Sequence, residues 1–543
     1  MEDNNEVSKN IETEEKKFNK RLGRFSINVV LIIATIMLIF LFIASLLYTA
    51  YFKNAWIGEY NEGIYYENDN VFLNIIYCVI FIFAVWGISK LLKKVNLKIA
   101  SIISIIIIGI LCFTWINFVQ APVKSDQNQV LICAKEFAKN RFGLLEGQGY
   151  FYMHPLQLGC VLGMELIIRI IHTYSWIAMQ RVNILFLMAI VYVIMKITKK
   201  VYKSDSTNKI LNLLLISCLI IPLFSIVVYG NIYGLLFALL AVFFLMKYYE
   251  NRKIRYILLI PFSLSISIIL KSNYEIVMIA IVISLLLDLI NKFNWKTLIT
   301  ILVILVMFSV SYPLVYKFVE YRSGIEVNDG IPMIAYVAMS IQEPLETRNS
   351  GWYHDGKNVE MLYPENNFDS EATNQASKQI IKQRLKEFLN SPDKMRDFYI
   401  DKIASTWIEP AFQTLWWAEP AEEFKNLEEN NPDYIEYISN NGVLLDIFHG
   451  ETQMKLLKYL DVVEITVFGM SLLSVLISIK NKSIDYKNVL LLLVFVGGFL
   501  FHIMWETKCI YVIPYYIMLI PSAADGIDKL GNFICNKFKK VRE

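Results

Sequence analysis

About twelve transmembrane helices, in an all-α integral membrane protein, account for this amino-acid sequence at its coarsest level. Apolar residues fill 56% of its 543 positions, where soluble chains run at about 45–50%. The excess is gathered into runs of about twenty residues, the length that crosses roughly 30 Å of hydrocarbon at 1.5 Å per residue. Lysine and arginine crowd the short segments between alternate runs, as they do on the cytoplasmic side of membrane proteins. The net charge of +3 is therefore a sum over segregated charges. No basic stripe with interleaved aromatics points to nucleic acid.

The elements follow in chain order. A polar tail, 1–25, carries Lys16, Lys17, Lys20, Arg21 and Arg24, which place it inside. The run from Phe25 to Phe52 is too long for a signal-peptide core and reads as an uncleaved span at 26–51. Further spans are expected at 71–91, 99–119, 178–197, 208–229, 231–248, 255–271, 273–291 and 297–318. The last three are expected at 461–480, 488–506 and 509–525. The basic loops Lys90–Lys98, Lys196–Lys203, Arg252–Arg255, Lys292–Lys296 and Lys480–Lys487, and the basic tail 526–543, all lie inside only if 156–174 does not cross. That stretch carries Glu165 and Arg169 and is amphipathic, the character of a helix lying in the interface. It is expected as an outer-face juxtamembrane helix. The protein is then a multi-pass protein of the cytoplasmic membrane with both termini cytoplasmic.

Two long polar segments remain outside, the loop 120–155 and the acidic segment 319–460. The second is expected to form a mixed, mainly helical extracytoplasmic domain, with an amphipathic helix at Glu371–Leu389. Its Trp352, Tyr353, Trp407, Trp416 and Trp417 suit either sugar stacking or a packed aromatic core. Cys78, Cys112, Cys160 and Cys218 sit in or beside apolar runs and read as inert thiols. Frequent Ile, Lys, Asn and Tyr fit an AT-rich bacterial genome.

Six places bring polar groups to the outer boundary: Asp126, the stretch with Tyr150, Tyr152 and His154, Arg181, Tyr229 with Asn231, Lys271 with Asn273, and His502, Glu506 and Lys508. Taken singly, each has an ordinary explanation as solvated loop, boundary ion pair, snorkelling cation or aromatic belt. Taken together they mark one outward-facing site at the membrane surface, because charge beside hydrocarbon is expensive unless paired or functional.

The runs PVKSDQNQVLICAKEF, GQGYFYMHPLQLG, VYGNIYG, KSNY and WETKCIYVIPYY carry a resemblance. Their order and sidedness resemble bacterial membrane glycosyltransferases of the GT-C superfamily, in particular Gram-positive proteins related to the family-39 dolichyl-phosphate-mannose-protein mannosyltransferases. The resemblance covers about 99–525. It makes 99–318 the membrane core, 461–525 the C-terminal transmembrane part and 26–98 a two-helix N-terminal addition. It implies inverting transfer of a sugar from a polyprenyl-phosphate-linked donor to a cell-envelope acceptor, whether glycan, teichoic-acid-like polymer or protein. It implies that Asp126 acts as base, or as an acid associated with a divalent metal, Mg or Mn. Glu506 is the second catalytic candidate. Lys271, Arg181 and Lys508 become binders of the donor phosphate. His154, Tyr152, Gln157, Tyr229, Asn231, Asn273 and Tyr511 become substrate-binding residues from the same motifs. The chain departs from its relatives in two places: Gln127, not a second acid, follows Asp126, and Asn231 stands where many relatives carry an acid.

The chemistry is coherent without the resemblance. A hydroxyl attacking an anomeric carbon needs a carboxylate within hydrogen-bond reach, and the departing phosphate needs positive charge. Two other classes compete. A transporter of envelope lipids would show inverted repeats and midplane charges, and Asp288 is the deepest acid available for that. A non-catalytic assembly protein would use 319–460 to hold partners.

Overall fold

The computed structural model describes residues 2–52, 62–344, 349–354, 356–419, 436–437, 440–481, 485 and 488–542, with side chains from Arg21 to Lys537 among them. Within these residues nine helices are long and apolar enough to cross a membrane: Arg21–Leu47, Val71–Lys94, Leu97–Val119, Trp176–Val201, Gly230–Asn251, Ser272–Asn291, Trp295–Ser323, Glu451–Asn481 and Cys509–Lys537. Two shorter apolar helices, Arg255–Leu270 and Leu490–Met504, stand beside them.

Helix α1 (Glu2–Leu47) gives way to a hairpin, β1 (Tyr48–Phe52) antiparallel to β2 (Ile64–Asn68), with Tyr48 opposite Asn68 and Phe52 opposite Ile64. The first span was expected to run to 51, and an all-α fold gains one small sheet. Tyr48, Thr49, Tyr51 and Phe52 are aromatic or β-branched and suit a pleated surface. Phe52 is held against the rings of Trp352 and Trp416. Helices α2 (Val71–Leu91) and α3 (Leu97–Val119) begin at Asn70 and Asn96, whose side chains accept from the backbone N–H of Leu73 and Lys98.

Helices α4 (Asp126–Ala138) and α5 (Leu158–Ile171) follow and pack together. The expected amphipathic stretch is α5, and its charges are satisfied. Buried Glu165 accepts from Arg169 Nε at 2.8 Å and from both terminal nitrogens of Arg322 at 2.6 and 2.7 Å.

Helix α6 (Trp176–Val201) leads to α7 (Asp205–Ser217). The stretch expected as one span, 208–229, is interrupted. One turn, Ile220–Phe224, follows α7, and 225–229 is not helical. Pro222 contributes no N–H. The freed backbone groups find side chains instead. Gln180 Nε2 donates to the carbonyls of Ala121 and Ile226 at 2.8 and 3.0 Å. Asn183 Nδ2 donates to those of Ser225 and Val227, both at 2.9 Å. The N–H of Val228 donates to Gln127 Oε1 at 2.9 Å. Unwound backbone at membrane depth is tolerated only where protein satisfies it in this way.

Helices α8 (Gly230–Asn251), α9 (Arg255–Leu270), α10 (Glu275–Asn291) and α11 (Trp295–Ser323) complete the central group. Asp288 is paired: Arg252 grips it with two hydrogen bonds of 2.5 and 2.6 Å, and Thr297 adds a third at 3.0 Å. The polar segment beyond α11 is helical, with α12 (Ser370–Asn390) on the expected amphipathic stretch and α13 (Pro392–Trp407) after it. Trp352, Trp407 and Trp416 are buried there. Trp352 Nε1 donates to Ser405 Oγ at 3.0 Å, and Trp407 stacks on Phe499 with centroids 5.4 Å apart. Three of the five aromatic candidates are thus core, while Tyr353 and Trp417 line the cavity described below.

Helices α14 (Glu451–Asn481), α15 (Leu490–Met504) and α16 (Cys509–Arg542) close the chain. Protein buries 94% of the most apolar window of α16 but only 22% of that of α2. The last helix is therefore central, and α2 leaves most of its side chains to lipid. The seven cysteines are unpaired, and all but Cys535 are buried.

Candidate active site

One cavity of about 590 Å³ gathers most of the expected polar residues. Asp126, His154, Gln157, Tyr229, Asn231, Lys271, Asn273, Glu506, Lys508 and Tyr511 all line it. Arg181 does not: it is exposed and donates to Asn117 Oδ1 at 2.6 Å. Tyr152 does not either, and packs edge-on against Phe368.

Asp126 opens α4. The preceding Ser125 takes φ 54° and ψ −142°, a conformation that side-chain-bearing residues rarely adopt and that costs about 1–3 kcal/mol where it persists. Strain is concentrated at the residue that turns the chain into the helix bearing the acid. No hydrogen bond or ion pair ties the Asp126 carboxylate to another described residue.

Lys271 follows the last residue of α9. Its Nζ lies 4.2 Å from the ring centroid of Tyr229 and 5.4 Å from that of Tyr511, close enough for the aromatic faces to hold the cation. It makes no ion pair with a described carboxylate. Burial depresses its pKa, with Asp126 and Glu506 acting in opposition. The position of Lys271 depends on glycines. A Cβ on Gly230 would lie 1.9 Å from the carbonyl oxygen of Leu270, and one on Gly159 would lie 2.2 Å from that of Ile269. The end of α9 is thus wedged between the backbones of α5 and α8. Gly230→Ala is expected to destabilise the protein by ~3 kcal/mol, the upper end of ordinary overpacking, because the obstacle is main chain. A lowered Tm in detergent checks this, and an unchanged Tm contradicts it.

Lys508 is differently placed. Its Nζ donates to both carboxylate oxygens of Glu62 at 3.0 Å, and Glu62 also accepts from Gln413 Nε2 at 3.0 Å. Burial pulls the Lys508 pKa down, but Glu62 and Glu506 hold it above the ordinary value. Burial also pushes Glu506 up to about 7, with Lys508 and Lys271 pulling it back and Asp126 and Glu62 adding to the rise. The raised carboxyl favours the folded state below its ordinary 4.5, and that contribution is lost as pH rises through about 7. Glu506→Gln is therefore expected to lose less stability than the wild type between these two pH values. Tm against pH for both proteins checks this, and parallel curves contradict it.

The polar segment supplies residues that the sequence reading missed. His154 Nε2 lies 2.8 Å from Glu360 Oε1, and its Nδ1 lies 2.9 Å from the Tyr336 hydroxyl. Tyr353 donates to Glu360 Oε2 at 3.2 Å. The hydrogen bond from His154 holds the Glu360 carboxyl below its ordinary pKa. Tyr336 stacks on Trp505 with centroids 5.3 Å apart and planes at 14°. Trp505 adjoins Glu506 in an already recognised motif, a signal that could have found it. Glu360 carried none.

Across the cavity, Gln157 Nε2 donates to the Tyr229 hydroxyl at 2.5 Å. Buried Asn231 leaves its Oδ1 without a partner among the described residues. Also among these, no three His, Cys, Asp or Glu side chains gather to hold a metal ion. Glu62 is engaged by Lys508, and Glu360 by His154 and Tyr353. These two carboxylates are thus already engaged within the protein.

The profile of a family described as conserved hypothetical integral membrane protein matches residues 26–524. Among solved structures, the chain is similar to the archaeal oligosaccharyltransferase AglB from Archaeoglobus fulgidus, solved in complex with an inhibitory peptide and a dolichol-phosphate. The TM-score is 0.40 at 12% identity, over 81% of this chain and 52% of that one. The chain thus spans about half the length of that structure. No curated protein sequence matches it. With a match over nearly its whole length, the chain belongs to the family of conserved hypothetical integral membrane proteins.

Proposed function

We propose that this chain is a GT-C-type glycosyltransferase. It transfers a sugar, with inversion, from a polyprenyl-phosphate-linked donor to a cell-envelope acceptor at the outer face of the cytoplasmic membrane. The observation that carries the proposal is the meeting of an untied carboxylate, Asp126, and an unpaired ammonium, Lys271, in one cavity at the ends of apolar helices. The isoprenoid chain explains why such a site belongs at the edge of the bilayer. The basic loops at Lys196–Lys203 and Arg252–Arg255 lie at the far ends of α6 and α8, which supports an outer position for the cavity.

In this reading Asp126 takes the proton of the acceptor hydroxyl as its oxygen attacks the anomeric carbon. The bond from that carbon to the phosphate oxygen breaks, and its electron pair leaves on the phosphate. Lys271 stabilises that growing charge. One displacement inverts the configuration, so one base is enough. Glu506 in its neutral form does not compete with the phosphate for Lys271. His154, oriented by Glu360 and Tyr336, and Gln157, Tyr229 and Asn273 present polar atoms to sugar hydroxyls.

The test is mass analysis of lipid-linked sugars and envelope polymers in a strain lacking the protein. A polyprenyl-phosphate sugar should accumulate, and its sugar should disappear from one polymer. Both changes should reverse with the wild-type chain but not with Asp126→Asn. Unchanged lipid pools and polymers in the deletion strain would overturn the proposal.

A further inference from the structure

A second cavity lies at the opposite end of the central helices. It is a groove of about 600 Å³ between the C-terminal ends of α6 and α8. Since α8 has 22 residues and each rises 1.5 Å, this groove lies roughly 30 Å from the cavity that holds Asp126. Lys196, Lys199, Lys200, Lys203 and Lys247 line it, with Glu250 as its one acid. Five lysines against one glutamate leave four positive charges uncompensated. Glu250 is occupied by Lys200 and by Lys247, the latter at 3.1 Å. Lys196, Lys199 and Lys203 are exposed and pair with no described carboxylate.

The groove is graded along its length. On α6, Tyr192 and Val193 precede the lysines; on α8, Leu240 and Phe243 precede Lys247. Both helices therefore set apolar side chains toward the middle of the span and ammonium groups at its end. Lys196 and Lys200 lie 5.0 and 5.7 Å from the rings of Tyr192 and Phe243, at the boundary between the two zones. A free phosphate complements only the outer half of such a surface. An amphiphile with an anionic head complements both halves.

We infer that this groove binds one anionic phospholipid. Its phosphate sits among Lys196, Lys199 and Lys203, and an acyl chain lies along Tyr192, Leu240 and Phe243. The inference does not depend on the reaction proposed for the other cavity.

Native mass spectrometry of the full chain, released from micelles containing phosphatidylglycerol and phosphatidylcholine, tests it. One phosphatidylglycerol per chain should be retained under activation that strips phosphatidylcholine. The triple variant Lys196→Gln, Lys199→Gln, Lys203→Gln should weaken retention by roughly a hundredfold, about fivefold per lysine. Leu240→Trp fills the groove without changing its charge and should also lose the lipid; it serves if the lysine variant fails to insert. The control Lys93→Gln, Lys94→Gln, Lys98→Gln alters a basic loop outside the groove and should retain the lipid. Equal loss in that control, retention in both groove variants, or displacement of the lipid by inorganic phosphate would each overturn the inference.

Discussion

Asp126→Asn is expected to abolish sugar transfer while leaving the protein expressed and folded. The substitution keeps the shape of the side chain and removes only its ability to accept a proton from the acceptor hydroxyl. General-base assistance is typically worth roughly a hundredfold to ten-thousandfold in rate, so residual activity should fall by that range. Because no described residue bonds to the Asp126 carboxylate, little stability should be lost. The measurement is transfer from a polyprenyl-phosphate sugar by the purified chain, with Tm recorded alongside. A variant that keeps its rate would remove Asp126 from the reaction. One that loses rate and fold together would make it a structural acid.

Lys271→Met should have the next largest effect, for a different reason. Methionine keeps the aliphatic stem against Tyr229 and Tyr511 and deletes the charge. Losing one preorganised electrostatic partner of a leaving group costs roughly 10²–10³ in kcat. Lys508→Met makes the useful contrast. It removes the ammonium that pairs with the buried Glu62 carboxylate, whose exposure is 1%, and breaking a buried pair from one side costs about 3–5 kcal/mol. The first variant should be folded and slow, the second unstable. The reverse pattern would exchange the roles assigned to the two lysines.

Nine of the expected spans and the cavity were legible among the described residues for one physical reason. Apolar runs fix where the helices end, and the polar residues at those ends on one side have little choice but to meet. Asp126, His154, Asn231, Lys271 and Glu506 were found this way, although nothing adjacent in sequence links them. What was not legible depends on helical phase or on tertiary placement. Arg181 follows buried Gln180 directly, and one residue is about 100° of rotation on a helix, enough to turn it from the protein interior to the surface. Tyr152 is separated from Tyr150 in the same manner, on opposite sides of one short turn. The break in 208–229 was hidden because the polar side chains that satisfy it, Gln127, Gln180 and Asn183, come from two other helices. Glu62 and Glu360 lie in polar segments where an acid attracts no notice until the fold brings it to Lys508 or His154.

The pairing of Glu62 with Lys508 bears on how such a chain can be shortened or recombined. The first two helices look like an appendix to a self-sufficient core, and a chain begun at Leu97 would still have its apolar helices and the Asp126 motif. It would lack Glu62, the carboxylate that meets the buried Lys508 ammonium at 3.0 Å. A chain begun at Leu97 is therefore expected to be less stable around Lys508 than the full chain. A chimera that takes its front end from a relative inherits a working site only if it also inherits an acid at this point in the hairpin connection.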